Sequence, residues 1–356
     1  MTSSNTILIA TGDRAPNIIA ITAKGTLYAT DEQSGRAVVL ILSGTLDAPE
    51  LIPLLDAFTA RAEAFADKDA DLVAMIDTHV ENVFEFNFTH PGKVTLVGSP
   101  NEFPQRIGFT GAAPEILVLD TNQRVAAHIP SAAPEAMVAA SLEAIDRLPR
   151  EEPRNLFTSA PVLMLPNILD LDLCRELVDM HHAGASFQSP ALYLDASGRP
   201  VNDTDFQLKK RRDFLISRAH PMHHRLTDIV RRVVFPEIKR CFQAEVRHTE
   251  RFNVACYPGD GGHFRRHRDN RPEIVAFRRF ALSINLTPKA DGYEGGFLRL
   301  PEFNGHHYRS PTGGGVIFSV DLLHEIAPVV SGNRFVLVNH LFDDEAVAKR
   351  MEMEQL

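Results

Sequence analysis

The chain has 356 residues, 44% of them apolar, with 46 Asp and Glu against 37 Lys and Arg for a formal net charge of −9. That length allows two domains, each burying its own core, and the composition is that of an ordinary soluble protein. No run approaches the roughly 18 consecutive apolar residues of a membrane span, and the opening MTSSNTILIATGD lacks a basic region followed by an apolar core, so a cytoplasmic protein is expected.

Charge is unevenly divided. Residues 1–150 hold 10 Lys and Arg against 19 Asp and Glu, which leaves 27 of each for the rest of the chain. Residues 206–282 alone hold 18 basic against 8 acidic side chains, a basic band that either steers an anionic ligand or is a solvated face. The three cysteines, Cys174, Cys241 and Cys256, show no C-x-x-C spacing and read as buried or idle thiols.

In chain order, AVVLILS (37–43) and DLVAMID (71–77) read as buried strands. Between them Leu51, Leu54, Leu55, Phe58 and Phe65 form an apolar stripe at helical spacing. A helical stretch over 79–88, the strands VTLVGS, EILVLD and RVAAHI, and a helix over 134–148 complete an α/β pattern of the thioredoxin type. GDRAPN, the PELIPLL helix, SPNEFPQRIGF and PEILVLDTNQRV resemble a peroxiredoxin over nearly all of residues 7–148. That resemblance implies a peroxidatic cysteine where the first helix begins, since a helix N-terminus lowers a thiol pKa. Asp47 stands there instead, and no cysteine precedes Cys174, so peroxidase chemistry of the usual kind is excluded. Asp47 is then expected to cap the helix.

LPREEPRN (148–155) is proline-rich and charged, without an apolar period, and marks a linker between a first domain over 1–150 and a second over 151–356. Beyond it, 168–182 and 222–242 read as amphipathic helices, the second interrupted or bent at Pro236. Short strands with glycine-rich turns follow: RFNVACY, RRFALSINL, GGFLRL, GGGVIFS and RFVLVNHLF, the pattern of a jelly-roll (double-stranded β-helix) buttressed by helices.

The segment RFNVACYPGDGGHFRRHRDN carries His267-Arg268-Asp269. Residues i and i+2 of a strand share a face, so one imidazole and one carboxylate can converge on one point. Two histidines and a carboxylate on one face of an octahedral ion leave positions open, which suits non-haem Fe(II). His324 is the best third ligand, because ten residues later Arg334 opens an apolar strand and can hold a dicarboxylate co-substrate bidentately. Arg334, Val336, Val338 and His340 share a strand face. The GDGG before His263 argues that His263 is still in the turn, and the pairs His181/His182, His223/His224 and His306/His307 read as surface residues.

ACYPGDGGHFRRHRDN, RRFALSINL, EGGFLRLPE, LHEIAPV and NRFVLV together resemble the catalytic core of the 2-oxoglutarate/Fe(II) oxygenases, in particular the oxygen-sensing prolyl hydroxylases, over about Leu171 to Phe342. The resemblance implies Fe(II) on His267, Asp269 and His324, 2-oxoglutarate contacts from Tyr257, Asn285 and Arg334, and an apolar pocket wall at Leu298. Asn285 departs from the tyrosine common at that place, and His340 replaces a tryptophan of the oxygen sensors. His340 and Arg279 are the candidate substrate contacts. The activity implied is hydroxylation of a C–H bond in a peptide or small molecule with release of succinate and carbon dioxide, with ascorbate as a further candidate cofactor. A dimer through the first domain is a candidate assembly. The alternatives are a nucleic-acid demethylase on the same scaffold, with no arginine six residues after Arg334 to favour it, and a non-catalytic redox or partner-binding protein.

Overall fold

A computed structural model describes residues 9–353 apart from 18, 90, 99–106, 110–112, 150–154, 195–198, 272 and 289–291. It resolves into two compact units, Met1–Pro153 and Arg154–Leu356. Among the described residues, no helix is long and apolar enough to cross a membrane.

The first unit is built on Ala37–Ser43, a strand of seven buried residues. It lies parallel to Ala70–Ile76, which lies parallel to Thr95–Gly98, and antiparallel to Glu115–Leu119, which pairs with Val125–Ile129. Both faces of this mixed sheet are covered, and the apolar run without alternation follows from that. Val39 and Ile41 pack with Leu51, Leu54, Phe58 and Ile145 of the helices Leu51–Ala60 and Pro134–Asp146. Val38, Leu40 and Leu42 face the opposite way, toward Tyr28, Met75 and Ile107. The arrangement is thioredoxin-like. Asp47 does not cap the first helix: the helix starts at Leu51, its N-cap position is Glu50 with no side-chain cap, and Asp47 is exposed four residues upstream. The motif SPNEFPQRIGF falls mostly outside the described residues.

The second unit is a jelly-roll of two main antiparallel sheets. The larger runs Val162–Leu165, Gly315–Ser319, Phe280–Asn285, Arg334–Phe342, Asn253–Tyr257, Arg212–Leu215 and Phe187–Gln188, with His248–Thr249 added beside Phe342. The smaller runs Lys209–Lys210, His263–His267, His324–Ile326 and Leu298–Arg299. His263 is therefore the first residue of a strand rather than part of the preceding turn; its Nδ1 still bonds back to the Gly261 carbonyl at 2.8 Å.

Period-two burial sorts every strand of the larger sheet. Val254, Cys256, Leu282, Ile284, Ile317, Phe335 and Leu337 point to a core shared with Leu173, Leu177, Leu226, Val230 and Ile238 of the buttressing helices. Ala255, Tyr257, Ala281, Val316, Phe318, Val336 and Val338 point the other way, toward Leu298, Ile326 and Phe264 of the smaller sheet. The helix Leu171–Ala183 begins with Asp170 accepting from the Leu173 amide at 2.7 Å. The second helix does not break at Pro236. Pro221–Ile229 passes through a π-turn at Val230–Val234 into Phe235–Phe242, and the wider turn just ahead of Pro236 absorbs the hydrogen bond that proline cannot donate. His181 also departs from the surface position expected for it. It is buried at 5% exposure, edge-on to Phe335 at 5.3 Å, because it falls on the apolar face of its helix, whereas His182 is exposed.

Cys174 and Cys256 are buried in the second core, and burial pushes their thiols up to about 12 and about 11, while Cys241 is exposed. Alkylation of the native protein near pH 8 should therefore give a single adduct, on Cys241, and three after denaturation. Mass spectrometry finding rapid native labelling of Cys174 or Cys256 would contradict this packing.

Candidate metal centre and anion pocket

The register of two short strands sets the site. His267 and His324 are direct partners across the His263–His267 and His324–Ile326 pair, which puts their rings 4.2 Å apart. Asp269 lies just past the strand end, where its amide donates to the Val320 carbonyl at 3.1 Å. Its two oxygens stand 3.3 Å from His267 Nε2 and 3.4 Å from His324 Nε2, and one ligand atom from each residue lies within 4.8 Å of the others. Ligand atoms at right angles around an ion with bonds of about 2.1 Å are separated by about 3 Å, so this cluster needs little adjustment to close on one cation.

Both imidazoles are oriented from behind. His267 Nδ1 meets the Arg265 carbonyl at 2.6 Å and His324 Nδ1 the Leu322 carbonyl at 3.0 Å. A carbonyl accepts only a protonated nitrogen, so these contacts assign the Nδ1–H tautomer and leave both Nε2 lone pairs on the Asp269 side. Phe264 stacks on His267 at 3.5 Å, and Phe318 meets His324 edge-on at 4.8 Å. Burial, reinforced by the adjacent His267, pushes His324 down to about 4, so it is neutral at pH 7. Burial alone would raise Asp269, but the surrounding imidazoles outweigh it and hold the carboxyl well below its ordinary value. Neutral imidazole and ionised carboxylate are the forms that bind a metal.

His340, on the inward face of Arg334–Phe342, has both nitrogens engaged: Nε2 is 3.3 Å from Asp269 Oδ2 and Nδ1 is 3.1 Å from Glu250 Oε2. Glu250 also pairs with Arg278 Nη2 at 2.9 Å, and Arg278 Nη1 donates to the Asp269 carbonyl at 3.1 Å. A closed network thus backs Asp269. Sequence reasoning placed His340 at the substrate; it lines the cavity, but its hydrogen bonds go to the protein. Arg279 is not on the cavity wall. Its guanidinium pairs with Asp343 at 3.0 Å, and the adjacent Arg278, just ahead of the strand Phe280–Asn285, lines the cavity instead.

Arg334 pairs in register with Tyr257, its guanidinium 5.3 Å above the phenol ring. It is 7% exposed, and Nη1 has no hydrogen-bond partner among the described residues. Asn285 donates from Nδ2 to the Ser310 carbonyl at 3.4 Å, and both side chains line a small cleft with Gly296 and Leu298; Leu298 also lines the main cavity. A buried guanidinium without a counter-ion is costly, and the donor left open makes this cleft a seat for an anion. Gly296 at φ +63° keeps it open, since a Cβ there would fall 2.9 Å from Arg334 Cδ.

The main cavity, about 780 Å³, reaches the three ligands and Tyr257. Two of its residues were read in the sequence only as part of a basic run. Arg211 reaches the Tyr257 hydroxyl at 3.1 Å and pairs with buried Asp213 at 2.7 Å, which fixes the phenol. Lys209 is 7% exposed, and burial, with Arg211 nearby, pushes its ammonium down to about 7. In LKKRRD the alternation that sends 209, 211 and 213 inward was the available signal.

Two imidazoles and a carboxylate opening onto the main cavity of a jelly-roll form a three-ligand donor set that leaves other positions of a metal ion open, and Arg334 adds a buried cation in a neighbouring cleft that shares Leu298 with that cavity. Residues 252–342 match the family profile of the 2OG-Fe(II) oxygenase superfamily, so the second unit carries a domain of that superfamily. Solved structures similar to this chain include a prolyl hydroxylase from Trichoplax adhaerens in complex with a hypoxia inducible factor peptide fragment, at 17% identity over 53% of this chain and 87% of that one, TM-score 0.43. A prolyl-4-hydroxylase from Pseudomonas putida is 18% identical over 52% and 94%, TM-score 0.40. The peroxidoxin BcpB from Mycobacterium tuberculosis is 18% identical over 40% and 99%, TM-score 0.36. No curated protein matches the chain.

The Asp269 backing network gives a pH-dependent prediction. Burial raises the Glu250 carboxyl, but the His340 hydrogen bond and the Arg278 charge outweigh it and bring it down to about 2, against an ordinary 4.5. A depressed carboxyl stabilises the fold above its unfolded value, here by about 3 kcal/mol, and that contribution is lost as pH falls from about 5 toward 2. Glu250→Gln should therefore lower stability at pH 7, and the gap from the wild type should shrink on acidification. Denaturant titrations showing a gap that is the same at both ends of that window would refute the network.

Proposed function

We propose that the second unit is an Fe(II)- and 2-oxoglutarate-dependent dioxygenase that hydroxylates a C–H bond of a peptide or small-molecule substrate, as a prolyl hydroxylase does. The observation that carries this is a His-Asp-His donor set on a jelly-roll whose Arg334 guanidinium is buried without an acidic partner among the described residues. In this reading His267, Asp269 and His324 hold the ion, and Arg334 pairs with the distal carboxylate of 2-oxoglutarate. Asn285 can donate the second hydrogen of its Nδ2 there, Leu298 walls the co-substrate and Tyr257 flanks it. When bound, iron and 2-oxoglutarate supply the oxidising power by which one oxygen atom of O2 enters the substrate C–H bond and the other enters succinate, with carbon dioxide released.

The chain's own residues bind, orient and shield. The carbonyls of Arg265 and Leu322 keep both Nε2 atoms unprotonated for the ion. His340 and Arg278 keep Asp269 ionised and in place, because an ionised carboxylate in a buried site persists only with such partners. Phe264, Phe318 and Leu298 surround the ligands with apolar surface that limits water.

Arg334 provides the test. Removing one partner of a buried ion pair typically costs about 3 to 5 kcal/mol, so Arg334→Ala should weaken 2-oxoglutarate binding by about a hundredfold or more, measured by calorimetry with Mn(II) in place of iron. Arg334→Lys keeps the charge but not the fork and should lose less, and Mn(II) affinity should hardly change in either. His267→Ala or Asp269→Ala should abolish stoichiometric metal binding. Wild-type 2-oxoglutarate affinity in folded Arg334→Ala, or no succinate formed by the wild type with Fe(II), 2-oxoglutarate and O2, would defeat the proposal.

A further inference from the structure

The cavity that reaches the His267, Asp269 and His324 donors is basic out of proportion to the chain. Nine Lys and Arg side chains line it against two carboxylates, Glu250 and Asp269, in a protein of net charge −9. Four of the nine are neutralised locally: Arg211 by Asp213, Arg266 by Glu325, Arg268 by Glu302 and Arg278 by Glu250. Four others, Arg218, Arg251, Arg265 and Arg271, are exposed at the cavity and have no acidic partner among the described residues. They are contributed by three separate segments, Arg265 and Arg271 lying six residues apart in one of them, and all four line the same cavity. Like charges brought together in this way repel one another, and an anion relieves that repulsion.

The ninth is deeper. Lys209 lies 4.8 Å over the face of Phe264, the ring that stacks on His267, and its ammonium has one hydrogen-bond acceptor among the described residues, the Pro190 carbonyl at 2.9 Å. An ammonium carries three N–H groups, so two are available on the cavity wall. Apolar side chains lie between the charges: Leu192, Leu208, Val275 and Leu215, the last 38% exposed.

We propose that the substrate is an acidic polypeptide segment, whose Asp and Glu carboxylates engage Arg218, Arg251, Arg265, Arg271 and Lys209 while the residue to be hydroxylated reaches the donor set. This rests on the dioxygenase reading above. Cations dispersed around an opening, with apolar surface between them, match carboxylates spaced along an extended chain better than one compact anion, which two cations would satisfy. Nucleic acid is the other polyanion, but enzymes acting on a base stack it on an aromatic or apolar face. The cavity aromatics are already engaged. Tyr257 is flanked by the Arg334 and Arg211 guanidiniums, Phe264 lies between His267 and Lys209, and Phe318 sits against His324.

The test is fluorescence anisotropy on the full chain with Mn(II) and 2-oxoglutarate, using labelled peptide pools rich in Asp and Glu, in Ser and Gln, or in Lys and Arg, and a single-stranded oligonucleotide. The acidic pool should bind about tenfold or more tightly than the neutral one and weaken as salt is raised. Arg218→Glu with Arg251→Glu should erase that preference and strengthen binding of the basic pool, a gain that misfolding cannot produce. Lys209→Met, which removes a buried charge without a cavity, should weaken the acidic pool while Mn(II) still binds stoichiometrically. Equal affinity for acidic and neutral pools, or tighter binding of the oligonucleotide, overturns this inference. Succinate formation without peptide separates the two claims: if it proceeds and the acidic preference is missing, only the substrate assignment falls, whereas failure to bind metal or 2-oxoglutarate removes both.

Discussion

An ionised carboxylate held away from water among three imidazoles is the constraint on which the second unit depends. Asp269 alone would be driven to its neutral form by burial, and a neutral acid cannot serve as an anionic ligand. His340 Nε2 supports the carboxylate on one side and Arg278 donates to the Asp269 carbonyl, while the Nε2 lone pairs of His267 and His324 face it from the other, the side on which a cation would complete the charge balance. The geometry follows from the sheets. One antiparallel register makes His267 and His324 partners, and the inward alternation of Arg334–Phe342 delivers both Arg334 and His340 to the same interior. Shifting either strand by one residue would turn the ligands to the outside.

The buried charges are arranged as pairs that orient as much as they stabilise. Replacing a buried pair by apolar groups is often neutral or stabilising, so Arg211 with Asp213 is poorly explained as a source of stability alone, and half-buried Arg278 with Glu250 orients as well as stabilises. Each fixes a group that matters to the site. Arg211 holds the Tyr257 hydroxyl, and Arg278 holds Glu250, hence His340, hence Asp269. Arg334 and Lys209 are the exceptions: neither has an acidic partner among the described residues, and both occur where a ligand would complete the pairing.

Much of this was legible in the sequence, for specific reasons. Seven-residue apolar strands such as AVVLILS announce a sheet covered on both faces, and the alternation of RFVLVNHLF gave the shared face of Arg334 and His340. The approach of His267, Asp269 and His324 was inferable from i, i+2 spacing and a distal histidine on a β scaffold. What was missed depends on pairing between distant segments. Arg278 rather than Arg279 lines the cavity, a matter of chain direction just ahead of the strand that a two-arginine run does not reveal. Both nitrogens of His340 are taken by Asp269 and by Glu250, 90 residues away in sequence, a contact no local pattern encodes. The helix start at Leu51 rather than beside Asp47 is a matter of turn geometry that TLDAPEL leaves open.

The most direct measurement of the central claim is a crystal structure of the full chain grown without oxygen in Mn(II) and 2-oxoglutarate, with the metal located by its anomalous scattering. The account predicts one metal bound by His267 Nε2, Asp269 and His324 Nε2, with the distal carboxylate of 2-oxoglutarate on Arg334. A metal bound elsewhere, or 2-oxoglutarate held away from Arg334 in well-ordered crystals, would contradict it.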